Sequence, residues 1–287
     1  MFAITGATGN TGSVAAETLL AAGKKVRVVV RSAAKAKALA ERGAEVVEAD
    51  LNDEAAMTAA FRGAEGVFLL SPPDVTLDGF LAKRKALLES LARAAKAAQV
   101  KHAVFLSSVG AQHAEGTGII ASTHAGEQAL RASGLPVTFV RAAYFVENWG
   151  SVLHPARQDG VLPSFVAANQ TIPMVASRDI GKTVASALLD GPRGTRVIEL
   201  SGPKDLSPKD IAAALSEILG RQVVVAEAPL AAVAPTLTSF GFCADVAELF
   251  RGMMEGIGNG KVAFEGKEAV RGNTSATEVL RALTEKQ

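Results

Sequence analysis

A single cysteine, Cys243, stands in the 287 residues, which excludes an internal disulfide and any thiolate metal cluster. Surplus charge is equally scarce: 30 Lys plus Arg face 29 Asp plus Glu, a formal net charge of +1. That balance gives no bulk reason to expect nucleic acid or an anionic membrane as a partner, so basic residues are expected to meet phosphate only on a small ligand. No apolar run approaches the roughly 20 residues that cross a bilayer. No basic stretch precedes the first apolar run, Met1-Phe2-Ala3-Ile4, as a secretory leader would require, and a cytoplasmic protein is the expectation. His102, His113 and His154 lack metal-ligand spacing, and no metal is expected. What the chain does have is apolar material, 48% of residues, enough for one large domain or two intimate lobes.

Short β-branched runs alternate with Ala- and Leu-rich stretches through the first half. Phe2 to Thr5, Lys25 to Arg31, Glu45 to Glu48, Gly66 to Leu70, His102 to Ser107 and Pro136 to Arg141 read as strands. Runs such as Val26-Arg27-Val28-Val29-Val30 lack clean polar alternation, as strands covered on both faces do. Thr11 to Ala22 and Asp78 to Ala98 read as helices, the latter with Lys83, Arg84 and Lys85 on a solvated face. The alternation predicts an α/β fold with a Rossmann-type, doubly wound parallel sheet. Residues 1–150 are expected to form the Rossmann-type domain, with 173–202 returning to it through a strand at Arg196 to Leu200. Residues 151–172 and 203–287 are expected to form a smaller, mainly helical lobe over the carboxyl edge of the sheet, where open α/β folds place ligands.

The sharpest motif is Gly6-Ala7-Thr8-Gly9-Asn10-Thr11-Gly12, a glycine-rich turn between a buried strand and a helix. Its glycines let backbone amides approach a pyrophosphate, and the helix N-terminus adds unpaired N–H groups and a positive dipole end. The second strand ends in Arg31-Ser32, with Lys35 a turn later, where an NAD site usually carries a carboxylate for the ribose hydroxyl. A guanidinium there can bind a 2′-phosphate in a fork, so NADPH is preferred to NADH; Lys35 alone reads equally as a solvated residue. Asp50-Leu51 can accept from the adenine amino group and pack on its ring, or Asp50 can cap the following helix. Leu70-Ser71-Pro72 and Ser107-Ser108, at the ends of two further strands, complete the expected cofactor contacts.

With Phe105-Leu106-Ser107-Ser108, Arg141 through Trp149, Ser177-Arg178-Asp179-Ile180-Gly181 and Leu219-Gly220-Arg221, these motifs resemble the NmrA-like family of atypical short-chain dehydrogenases/reductases over nearly the whole chain. The resemblance implies NADPH-dependent reduction of a quinone, azo compound or similar acceptor, or alternatively a non-catalytic NADP(H) sensor that regulates a protein partner. One departure matters. The Tyr-x-x-x-Lys couple common among short-chain dehydrogenases is absent, since Asn148 stands four residues after the single tyrosine, Tyr144. The helix that would carry the couple has Gln128 near the position where several reductases of the family have lysine. His124, one turn earlier, is a candidate acid, or a surface or ribose-contacting residue.

After the sixth strand, Ala142 and Ala143 would let a nicotinamide lie close to the backbone. Tyr144 and Phe145 are cofactor contacts, with Tyr144 a second catalytic candidate. Phe145, Asn148, Trp149, Phe240 and Phe242 would wall a pocket for a small apolar or aromatic acceptor, although Trp149 and the Phe250, Met253, Met254 stripe also read as ordinary core. Gly256 to Gly260 reads as a flexible turn, and the pattern leaves homo-oligomerisation open.

Overall fold

A computed structural model describes residues 1–285. Eight parallel strands make one sheet in the order β12-β10-β6-β5-β4-β1-β2-β3. They are β1 Phe2–Thr5, β2 Val26–Val30, β3 Glu45–Glu48, β4 Gly66–Leu69, β5 His102–Ser108, β6 Val137–Ala142, β10 Thr195–Ser201 and β12 Glu268–Arg271. The chain builds outward from β1 to β3, then restarts at β4 on the other side of β1. The carboxyl ends of β1 and β4 therefore flank the point where strand order reverses, the place such sheets bind ligands.

Continuous apolar strands bury both faces, each beneath its own helices. Ile4, Val28, Phe68, Val104 and Val140 pack under α1 (Asn10–Ala21) and α7 (Ser177–Asp190). Ala3, Val67, Phe105 and Phe139 pack under α3 (Glu54–Phe61), α4 (Phe80–Ala97) and α5 (Ala121–Ala132). Helices α1 and α7 touch so closely that a Cβ on Gly181 would lie 2.7 Å from the Thr11 carbonyl oxygen. The short α2 (Lys37–Glu41) lies between β2 and β3 in the chain.

A third apolar cluster, including Val146, Trp149, Leu153, Ile211, Leu215, Ile257 and Leu280, draws on later elements. These include α6 (Leu153–Asp159), α8 (Pro208–Leu219), α10 (Ala244–Gly258) and α11 (Ala276–Glu285), while α9 (Val233–Ser239) precedes α10 in the chain. Two small parallel pairs accompany them: β7 (Tyr144–Phe145) with β9 (Met174–Val175), and β8 (Val161–Ser164) with β11 (Val224–Glu227). No described helix is long and apolar enough to cross a membrane.

Three sequence expectations are corrected. β12, within the stretch expected in the smaller lobe, pairs with β10 and extends the large sheet. Gly256 to Gly258 is not a turn but the last turn of α10, where a Cβ on Gly256 would lie 2.7 Å from the Gly116 carbonyl oxygen. Arg84 does not join Lys83 and Lys85 in solvent; it is 7% exposed, its guanidinium 5.2 Å from the Phe80 ring centroid and 3.9 Å from the Asp74 carboxylate.

Candidate dinucleotide and active site

The glycine turn after β1 has the close contacts its sequence demands. Gly6 adopts φ +62°, and a Cβ there would come within 2.6 Å of Leu70 Cδ2. Its carbonyl accepts from the Gly9 amide at 2.9 Å, closing the turn. A Cβ on Gly12 would strike the Gly6 carbonyl oxygen. No side chain caps α1, so the amides of Asn10, Thr11 and Gly12 present a helix N-terminus at the switch point.

Thr8, Val30, Arg31, Ser32 and Lys35 line a cavity of about 330 Å³ beside this turn. Neither Arg31 nor Lys35 is committed to an ion pair among the described residues. Glu48, in register with Val30, accepts from the Ala33 amide at 2.5 Å and pins the turn that carries Arg31 and Ser32. Asp50 Oδ1 accepts from the backbone and side-chain amides of Asn52 at 2.9 and 2.8 Å. Those bonds, backbone first, together with the Arg31 charge hold its carboxyl below the usual range. The cap of α3 is Asp53, which accepts from Ala56, so Asp50 shapes the preceding turn and leaves capping to its neighbour.

Beyond β4, Leu70 covers Gly6, while Ser71 and Pro72 are half-buried in the loop that follows. That loop and the start of α4 are each tied to the start of α10. The Cys243 amide donates to the Val75 carbonyl at 2.9 Å, and the Asp245 carboxylate accepts from the Phe80 amide at 2.9 Å.

At the ends of β5 and β6 the structure assembles charges that the sequence motifs did not single out. Ser107 Oγ donates to Glu127 Oε1 at 2.6 Å, and Arg141 pairs with both Glu127 oxygens at 2.8 Å. Arg141 also donates to Glu265 at 2.6 Å. The Ser107 hydroxyl is thus turned into the protein, and Ser108 Oγ donates to the Val109 carbonyl at 3.0 Å.

His124 Nδ1 lies 2.9 Å from the Ala111 carbonyl. A carbonyl only accepts, so Nδ1 carries the hydrogen and Nε2 is the atom left for a ligand. Ala142 and Ala143 are buried, and Phe145 packs against the β1–β6 core. Burial pushes the Tyr144 phenol up to about 12, with a hydrogen bond to Asn148 partly opposing it. It is therefore a neutral hydroxyl near pH 7, able to donate a hydrogen bond but not to act as a ready base.

The expected aromatic pocket residues do not converge. Trp149 is buried in the third core cluster, edge-on to Tyr144 at 6.2 Å. Asn148 is exposed, and Phe240 projects into solvent at 74% exposure. Phe242 pairs edge-on with Phe250 at 5.5 Å.

This is a Rossmann-type α/β protein whose glycine turn, uncapped helix and basic cavity share one end of the sheet. The chain belongs to the NmrA-like family, whose model matches residues 1–271. It is 31% identical over 253 residues to quinone oxidoreductase 2 of Escherichia coli, covering 87% of this chain and 85% of that protein. It is 28% identical over 250 residues to the NAD(P)H azoreductase of Xenophilus azovorans, covering 86% and 84%. A crystal structure of an E. coli NADPH-dependent quinone oxidoreductase complexed with NADPH superposes with a TM-score of 0.84 at 28% identity, covering 99% of this chain and all of that one.

Proposed function

We propose that this chain is an NADPH-dependent reductase that passes hydride to a conjugated, largely apolar acceptor such as a quinone or azo compound. The observation that carries the reading is the cavity at the end of β2, where Arg31 and Lys35 stand without ion-pair partners among the described residues beside an uncapped helix N-terminus. A 2′-phosphate suits the two cations, and a pyrophosphate suits the glycine turn that a Cβ on Gly12 would fill. The residues present therefore fit the cofactor, which when bound supplies a hydride.

Thr8, Arg31, Ser32 and Lys35 would hold the adenosine phosphate, with Asp50 and Leu51 at the adenine. Gly6, Gly9, Asn10, Thr11 and Gly12 would hold the pyrophosphate. Leu70, Ser71, Pro72, Ser108, Ala142 and Ala143 would flank the remainder, with Tyr144 and Phe145 beside the acceptor and His124 as the candidate acid, its Nε2 accepting in the neutral ring and donating only in the protonated one. Residues 1–150 and 173–202, now with β12 beside them, are proposed as the cofactor unit and most of the rest as its cover. The names of the enzymes it resembles favour a reductase over a sensor.

The test is NADPH oxidation measured against a panel of quinones and azo dyes, repeated with NADH. Turnover with a clear excess for NADPH is expected. No turnover with any member of a broad panel would overturn the proposal.

A further inference from the structure

We propose that Glu265 and Glu199 fasten residues 261–267 as a strap over the ends of β5 and β6, and that this strap positions His124 and Tyr144. The inference rests on the reductase reading above and adds a set of positioning residues to it.

Ser107, Arg141 and Glu199 are register partners on three neighbouring strands, so their side chains share one face of the sheet. It is the face covered by α5, which contributes Glu127. The Arg141 side chain is only 4% exposed, and its two opposite flanks are taken by Glu127 and Glu265. Glu199 makes no cation pair among the described residues. Its two oxygens accept the successive amides of Glu265, Gly266 and Lys267 at 2.7, 3.0 and 2.9 Å. The strap is thus gripped through a side chain by β6 and through its backbone by β10.

Its other half lies on the loop after β5. Gln112 Nε2 donates to the Ala263 carbonyl at 2.7 Å. Gly110, at φ +84°, comes so near that a Cβ would be 3.3 Å from Val262 Cα. Between these two contacts is Ala111, whose carbonyl orients His124. Arg141 in turn leads directly through Ala142 and Ala143 to Tyr144. One ionic row therefore bears on both candidate catalytic groups, His124 and Tyr144.

Glu265 is the member to alter. Its side chain is 31% exposed, against 2% for Glu127, so neutralising it leaves Arg141 with its paired carboxylate and strands no buried anion. In Glu265→Gln, kcat for a quinone should fall about tenfold to a hundredfold, the usual scale for an ångström-sized misplacement. The dissociation constant for NADPH should not move, because the phosphate contacts lie at the β1–β2 end. Gln112→Ala, which leaves the ionic row intact and removes only the strap-to-loop bond, should lower kcat in the same sense. Amide hydrogen exchange should quicken at residues 110–112 and 261–267 in both variants.

Wild-type kcat in both variants would overturn the proposal. So would a fall in kcat matched by weakened NADPH binding and a lower melting temperature, the signature of a merely structural role. If the wild-type protein oxidises no NADPH with any acceptor, the reductase reading fails separately. Exchange then decides the strap alone: unaltered exchange at 110–112 in Glu265→Gln would refute it, and faster exchange there would support it.

Discussion

Replacing Arg31 with alanine isolates the electrostatic discrimination on which cofactor choice depends. The ribose phosphate is the only group that distinguishes NADPH from NADH, and in the cavity at the end of β2 it would meet Arg31 and Lys35. A hydrogen bond to a charged group contributes about 1.5–3 kcal/mol. Two features favour the lower half of that range. Lys35 stays behind to pair with the phosphate, and the Arg31 charge already acts on Asp50, whose carboxyl it helps to hold down. A loss of about 1.5–2 kcal/mol corresponds to a fall of roughly 10- to 30-fold in kcat/KM for NADPH. The assay is steady-state oxidation of each cofactor at a fixed quinone concentration. With NADH, which lacks the phosphate, kcat/KM should stay close to wild type. Raising the salt should shrink the difference between cofactors, because the cavity is open and its charges are screened. Equal losses for the two cofactors, or none for either, would refute the assignment of Arg31 to the 2′-phosphate.

Gly12→Ala should abolish NADPH binding and destabilise the fold by about 1–3 kcal/mol, since its Cβ meets the Gly6 backbone, which cannot rotate away as a side chain could; fluorescence titration and thermal melts read the two effects. Tyr144→Phe should flatten the alkaline limb of stability. A phenol whose folded value of about 12 exceeds the unfolded value near 10 contributes below pH 10 and loses that contribution as pH rises toward 12, on the order of 2–3 kcal/mol. Chemical denaturation at a series of pH values measures it, and an unchanged slope in the variant would refute burial as the cause. Glu127→Ala should cost about 3–5 kcal/mol by leaving the buried Arg141 with only Glu265, and a melting temperature within error of wild type would show that water replaces the carboxylate.

Much of the sheet was legible because its strands bury both faces. Val26–Val30 and His102–Ser108 are nearly uninterrupted apolar runs, and their predicted ends fall within a residue or so of those observed. β12 was not legible for the opposite reason. Glu268-Ala269-Val270-Arg271 is an edge segment with a largely exposed pattern. Its place depends on pairing with β10 and on Arg196, which donates to Glu268 at 2.7 Å across a separation of 72 residues. Arg84 misled for a similar reason. Helical spacing marks which residues share a face, but not that Phe80 and Asp74 close over one cation on it.

The same distinction between local and assembled signals divides the candidate site. The glycine turn is contiguous, so the tight backbone contacts it makes can be read in seven adjacent letters. Glu127, Arg141, Glu199 and Glu265 are scattered, and nothing in their local sequence marks them as partners until register and burial bring them together. Once assembled, they constrain the reaction. At the β1–β2 end, cations remain open to a ligand; at the β5–β6 end, the arginine and its carboxylates are already engaged with one another. Among the candidate catalytic groups there are the Tyr144 hydroxyl and His124 Nε2. A phenol pushed up to about 12 surrenders its proton poorly, since the phenolate would be left in the environment that disfavours it. In the proposed reaction the proton would then come from His124 or from water, neither held by a buried ion pair. Such a site suits an acceptor that spreads the incoming negative charge over a conjugated frame and can wait for its proton. A simple ketone, which needs the proton as the hydride arrives, should be reduced far more slowly than a quinone.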